Sequence, residues 1–268
     1  MTLSLTHRFD RRRLLVMAAT SAALTGSGPV LRATAQTPQA SPTGDPEAVA
    51  LLQEAVRAMA ALQTFHFESE TTQGSSTILE GLELEGIVGD VRRPLDFQTV
   101  ITAGIPFGSI DVTVVGVEGK IWITDPLAGE ESWILLADGS AGSGGGEAAE
   151  ITALANPDTL ILQAVSVLDG ARIAGQEDVG GVATTRIDGQ VDLAAAAQQA
   201  VGTPVALPAQ VSTEPIPVSI WIDDARRIVE VELAGPLLAS ESADVIRIVR
   251  FSAFDEPVDI AVPENAPQ

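Results

Sequence analysis

Few side chains in this 268-residue chain have the type and spacing that chemistry needs. Beyond residue 35 the sole histidine is His66, set between Phe65 and Phe67 in an alternating run. A general base needs a nucleophile in reach, and the chain has neither a Gly-x-Ser-x-Gly elbow nor any cysteine. The acid pairs Asp223-Asp224 and Asp255-Glu256 fall at expected turns, where short carboxylates cap backbone N–H groups rather than face each other across a sugar. No His/Cys set has metal spacing, there is no D-x-D-x-D-G calcium loop, and Gly139 to Gly146 lacks the Gly-Lys-Ser/Thr of a phosphate cradle. The sequence therefore predicts no catalytic residue, no metal and no cofactor.

The recognition chemistry sits at the start. The run Asp10-Arg11-Arg12-Arg13-Leu14-Leu15, an apolar segment and Ala33-Thr34-Ala35 before Gln36 have the form of a twin-arginine export signal with a small-x-small cleavage site. Residues 1–35 are expected to be removed, so that the working protein begins at Gln36 and acts outside the cytoplasm. The apolar stretch is broken by Thr20, Ser21, Thr25, Ser27, Gly28 and Pro29, whereas a stable span needs roughly 20 mostly apolar residues. Within it, Leu24-Thr25-Gly26-Ser27 has the outline of a lipobox with serine in place of the acylated cysteine. Without cysteine, neither thiol lipidation nor a disulfide is available, so no lipid anchor is expected.

Residues 36–268 carry 10 basic and 35 acidic side chains, a formal charge of −25. That surface repels nucleic acid and anionic headgroups, opposes self-association into a structural polymer, and allows transient membrane contact at most. The even spread of apolar residues predicts one domain over 45–268, after a short tether at 36–44.

The elements that must position any site are legible in the periodicity. Asp45-Pro46-Glu47 opens a helix, with Asp45 as capping carboxylate and an apolar stripe at Val49, Leu52, Ala55, Val56, Met59 and Leu62. Strands follow. Leu82, Leu84, Gly86 and Val88 alternate with Glu83 and Glu85, and Val229, Val231 and Leu233 alternate with Glu230 and Glu232. Other strands are expected at Phe65 to Thr71, Asp96 to Ala103, Ile110 to Val117, Lys120 to Thr124, Trp133 to Leu136, Ala171 to Glu177, Val182 to Asp188, Val218 to Ile222, Val245 to Phe251 and Val258 to Ala261. Gly180-Gly181 and Asp223-Asp224-Ala225 read as hairpin turns. Two further helices are expected, one opened by Asn156-Pro157-Asp158 and one by Asp192 over Ala194 to Ala200, and Gly202 to Pro217 reads as an ordinary connection or a covering loop. The fold class is α+β: a large twisted antiparallel sheet with a few helices packed on one face.

Ile110 to Val117 and Val245 to Phe251 carry apolar residues in both phases, and aromatics are few, with seven Phe, three Trp and no Tyr. A sheet this large, filled by aliphatic side chains, either packs dry or leaves a cavity.

The run VLDGARIAGQEDVGGVATTRIDGQVD, from Val167 to Asp192, resembles the central hairpin of the LppX/LprAFG lipoprotein family. Other blocks agree in order: Leu62 to Phe67, Gly86 to Pro94, Gly119 to Ile123, Asn156-Pro157, Val218 to Asp223 and Phe251 to Pro263. The resemblance implies an open half-barrel like that of the carrier LolA, closed by helices around an apolar cavity. It also implies that the protein binds an acyl lipid or glycolipid and carries it in the cell envelope, handing it to a transporter or acceptor protein. The expected cavity residues are Leu52, Val56 and Met59 on the helix, with Leu82, Leu84, Val88, Ile101, Val112, Val114, Val229, Val231 and Leu233 on the sheet, and their facing depends on strand register. The alternative is a non-catalytic envelope interaction module that uses the same half-barrel without cargo.

Overall fold

In the computed structural model of the chain, the described residues are 42–78, 82–125, 128, 132–138, 155, 158–192, 214–237 and 241–267. The export signal, the first part of the tether, the glycine-rich loop, Asn156-Pro157, the helix over Ala194 to Ala200 and most of the covering loop lie outside them.

Helix α1 (Pro46–Ala61) has Pro46 at its start and buries Ala48, Leu51, Leu52, Ala55 and Met59, the stripe its spacing requires. Asp45 does not cap it through the side chain, contrary to expectation. Its backbone places the helix instead: the Asp45 N–H donates to the Ala171 carbonyl at 2.8 Å, and the Asp45 carbonyl accepts from Val49 N–H at 2.9 Å.

The strands are β1 (Thr64–Gln73), β2 (Thr77–Ile78), β3 (Leu82–Arg92), β4 (Asp96–Ile105), β5 (Gly108–Val117), β6 (Lys120–Thr124) and β7 (Trp133–Asp138). After helix α2 (Asp158–Ser166) come β8 (Asp169–Val179), β9 (Val182–Val191), β10 (Ile216–Asp223), β11 (Ile228–Ala234) and β12 (Ile246–Ser252). They form one antiparallel sheet in the order β7-β6-β5-β4-β3-β1-β12-β11-β10-β9-β8, with β2 beside β3. Hairpins account for most neighbours, and the return of β12 to β1 joins the two halves. Gly180 and Gly181, at φ of 59° and 86°, make the β8–β9 turn, where only left-handed backbone matches the strand twist.

One apolar cluster joins α1 and α2 to inner-face residues as far apart as Leu136 on β7 and Ala171 on β8. A flat sheet of this order would be about 50 Å across at ~4.8 Å per strand. Twist and coiling bring its outlying strands to two helices, each only about 10 Å wide. At Gly116 the inner face is so close-packed that an added Cβ would stand 2.3 Å from the Phe97 ring.

Val258 to Ala261 are not a strand. Both edges of β12 are already paired, with β1 and β11, so the following chain finds no adjacent ladder to join. It becomes a strap across the outer face. Asp255 N–H donates to the Thr64 carbonyl at 2.9 Å, Arg92 Nη2 donates to the Ile260 carbonyl at 2.9 Å, and Trp122 Nε1 donates to the Pro267 carbonyl at 2.9 Å. Its Ile260 packs with Val115, Val117 and Trp122 in a second cluster, which accounts for the apolar residues in both phases of β5.

Candidate functional site

The inner face is the largest apolar surface built by the sheet. Phe65 on β1 pairs across to Val91 on β3 and Phe67 to Phe251 on β12, and the rings of Phe65 and Phe251 meet edge to face at 5.9 Å and 66°. Burying each such side chain contributes roughly 1.5–3 kcal/mol. The alternation Phe65-x-Phe67 marks these residues as belonging to a strand, and nothing in it singles out the inner face.

Of the expected cavity residues, Leu52, Met59, Leu84, Ile101, Val114 and Val231 are buried in this cluster, and Val56, Val112 and Leu233 pack against it partly exposed. Leu82 is half-buried and in phase with Leu84. Val88 is on the other face and 44% exposed. The cause is a bulge: Leu84 pairs with Ala103 and Gly86 with Thr102, so Glu85 is an extra residue and all phases beyond it invert. Ile87 occupies the inner face in place of Val88. A second bulge makes the same change on β11. Trp221 pairs with Glu230 but Ile222 with Ile228, so Val229 is extra and Ile228 joins the main cluster instead.

At one end of this face the apolar surface gives way to polar groups. Arg247 is in phase with Val249 and Phe251 and pairs across to Thr71 and Leu233. Its side chain is 8% exposed and that of its partner Glu241 is 1% exposed. Arg247 Nη2 donates to Glu241 Oε1, which also accepts from Ser76 Oγ at 2.8 Å, while Glu241 Oε2 accepts the Leu237 N–H at 2.9 Å. Arg247 Nη1 is buried and has no hydrogen-bond partner among the described residues. Burial drives the Arg247 pKa down against the pull of Glu241. Desolvating such a pair costs several kcal/mol per ion, and an unmet buried donor adds about 1–3 kcal/mol. The arginine in an apolar phase was visible in the sequence; its burial was not.

The outer face of β8 to β11 is polar, with a groove of about 420 Å³ touched by Arg172, Arg186, Asp188 and Ser219. Arg186 Nε donates to Asp188 Oδ1 at 2.8 Å and Arg172 Nη2 to Asp188 Oδ2 at 3.0 Å. Burial raises the Asp188 pKa, but the hydrogen bonds from Arg186, Arg172 and Ser219 outweigh it and hold the carboxyl below its usual value. Arg186 also lies over Trp221, 5.0 Å from the ring centroid, while Trp221 Nε1 donates to Glu177 at 2.8 Å. Every charge in this network is paired, as expected of a fastening between strands.

His66 is on the outer face, with Nδ1 2.9 Å from Asp90 Oδ1. Asp223 holds the turn before β11, accepting from Arg227 N–H at 2.7 Å and Nε at 2.8 Å. Asp255 Oδ1 accepts the Gln63 N–H at 2.7 Å. The acid pairs thus serve turns and chain crossings. Among the described residues no group of three His, Cys, Asp or Glu could hold a metal, and no helix is long and apolar enough to cross a membrane.

A curled, open antiparallel sheet with helices laid over one apolar face defines the structural class. Within that class the chain belongs to the LppX_LprAFG lipoprotein family, whose model matches residues 45–260. The structure is similar to that of lipoprotein LppX from Mycobacterium tuberculosis, 20% identical, covering 81% of this chain and 100% of that one with a TM-score of 0.54. It is likewise similar to LprF from Mycobacterium bovis, 18% identical, covering 82% of this chain and 99% of that one with a TM-score of 0.56. No curated sequence matches the chain. In a family of lipoproteins, these 268 residues contain no cysteine to acylate.

Proposed function

We propose that this protein is an exported carrier that shields the acyl chains of a lipid or glycolipid against the inner face of its open sheet. The observation that carries the reading is the family match over residues 45–260 to a chain whose inner apolar face runs from β7 to β8. Exposing an acyl chain to water costs roughly 0.8 kcal/mol per methylene, so a chain of ~16 carbons does not cross an aqueous gap unaided. An aliphatic face is about as apolar as a bilayer, so loading and release are both close to neutral.

The carrier meets membranes transiently through the β4–β5 hairpin. Phe107 at its tip is 98% exposed, beside Ile105 at 36%. The tip extends the inner-face phase of β4 beyond Ala103, at the end of the sheet where β3 and β12 begin and β1 finishes. Glu83, Glu85 and Asp111 close by disfavour an anionic surface and favour an uncharged or zwitterionic one. The handover partner is an envelope transporter or acceptor protein.

Native mass spectrometry of the protein purified without detergent, followed by lipid extraction, tests the proposal. Near one acyl lipid per chain is the expected result. A clean lipid-free mass, unchanged by liposomes, favours an interaction module instead, a reading supported by the complete burial of Phe65 and Phe67 in the inner cluster.

A further inference from the structure

We infer that Arg247 anchors the polar end of the cargo, donating from Nη1 to an uncharged acceptor oxygen, an ester carbonyl at the head of the acyl chains. The inference rests on the carrier reading and adds to it a position, an orientation and a headgroup class. Three observations carry it. First, Arg247 is on the inner face itself, in register with Thr71 and Leu233 and in phase with Val249 and Phe251, so a chain lying on that face passes it. Second, Nη1 is buried without a partner among the described residues, while Nη2 is engaged by Glu241. Buried donors are almost always met, so an unmet one in the inner-face phase marks where a ligand atom belongs. Third, the surroundings turn from apolar to polar at this point. Ser69 and Thr71 share the inner phase of β1 and are half-buried, and Ser76, 4% exposed, donates to Glu241. Acyl chains therefore run toward the aromatic cluster of Phe65, Phe67 and Phe251, with the head beside Arg247 at the end of the sheet that carries Phe107.

The class of head follows from charge. Glu241 already neutralises the guanidinium, so the site presents the N–H donors of Nη1 and no net charge. A phosphate would bring a second anion next to a carboxylate whose side chain is 1% exposed; a carbonyl oxygen brings none.

Three lipids with the same chains separate the terms: dioleoylglycerol, its diether analogue without carbonyls, and dioleoylphosphatidate, each bound to the purified full chain in competition with a fluorescent fatty acid. The diester should bind roughly tenfold or more tighter than the diether, the worth of a hydrogen bond to a charged donor, and tighter than the phosphatidate. In Arg247→Met/Glu241→Gln, which removes both charges together and so leaves no lone buried ion, the diester-to-diether ratio should fall to about one with diether affinity retained. Arg247→Lys should keep part of the preference. Equal affinity for diester and diether in the natural protein, or tighter phosphatidate binding, overturns the inference and leaves the carrier reading standing. Failure to bind any of the three overturns both.

Discussion

Leu84 and Val88 lie four residues apart on one strand and face opposite sides of the sheet. Strict alternation would put both on the same side, but the extra residue Glu85 turns the backbone between them. Leu84 is 8% exposed and belongs to the inner cluster, whereas Val88 is 44% exposed on the outer face.

This pair makes a matched test of the site. Leu84→Trp and Val231→Trp fill the inner face and should lower bound lipid per chain several-fold, at a folding cost of about 1–3 kcal/mol for overpacking. Val88→Trp should leave both loading and stability within experimental error. Native mass spectrometry reads the first and urea unfolding the second; equal loss of lipid in Leu84→Trp and Val88→Trp would sink the assignment of faces.

Membrane exchange should depend on the hairpin tip. Phe107→Ser removes a side chain that is 98% exposed, so stability should change by no more than ~0.5 kcal/mol. Transfer of a fluorescent acyl lipid from phosphatidylcholine vesicles should slow markedly while equilibrium binding of the same lipid stays unchanged. Stopped-flow transfer measured beside equilibrium titration distinguishes the two, and an unaltered transfer rate rules out this contact.

The buried pair should behave as a unit in folding. Arg247→Met alone strands the Glu241 carboxylate and should cost about 3–5 kcal/mol, most of which the added Glu241→Gln should restore. A double-mutant cycle by chemical denaturation measures the coupling. Additive losses would mean that the two side chains do not depend on each other.

Acid stability should report the outer network. The Asp188 carboxyl is held below its ordinary 3.8 in the folded chain, so its contribution is present above that value and is lost as pH falls through the lower folded value. Asp188→Asn should therefore be less stable than the natural protein at neutral pH, with the gap closing under strongly acid conditions. Thermal unfolding across that range checks the sign; a gap that widened in acid would contradict it.

The C-terminal strap should be structural. Ile260→Ala should cost about 2–5 kcal/mol for an aliphatic side chain that is 4% exposed, and removal of residues 258–268 should wet Trp122, seen as a red shift of its fluorescence. Lipid loading, on the other face, should persist in Ile260→Ala wherever the protein remains folded.

Much of this molecule is written in local patterns. Pro46 and the stripe through Leu52, Ala55 and Met59 define α1, Gly180-Gly181 defines the β8–β9 turn, and period-two runs define nearly every strand, because each depends on residues within a few positions. Absence of cysteine settles by itself that these 268 residues carry no thiol-linked lipid and no disulfide. The tertiary structure decided facing and partnership. A bulge adds one residue without altering the alternation of types, so nothing local distinguishes Val88 from Leu84, or Val229 from Ile228, until the neighbouring strand sets the register. The same holds for Val258 to Ala261, strand-like in composition but left without a free edge once β1 and β11 have flanked β12. Arg247 stands visibly in an apolar phase of the sequence, yet its buried contact with Glu241, six residues before it, belongs to the folded chain alone. Alternation is a property of one strand, whereas facing and burial belong to the assembled sheet.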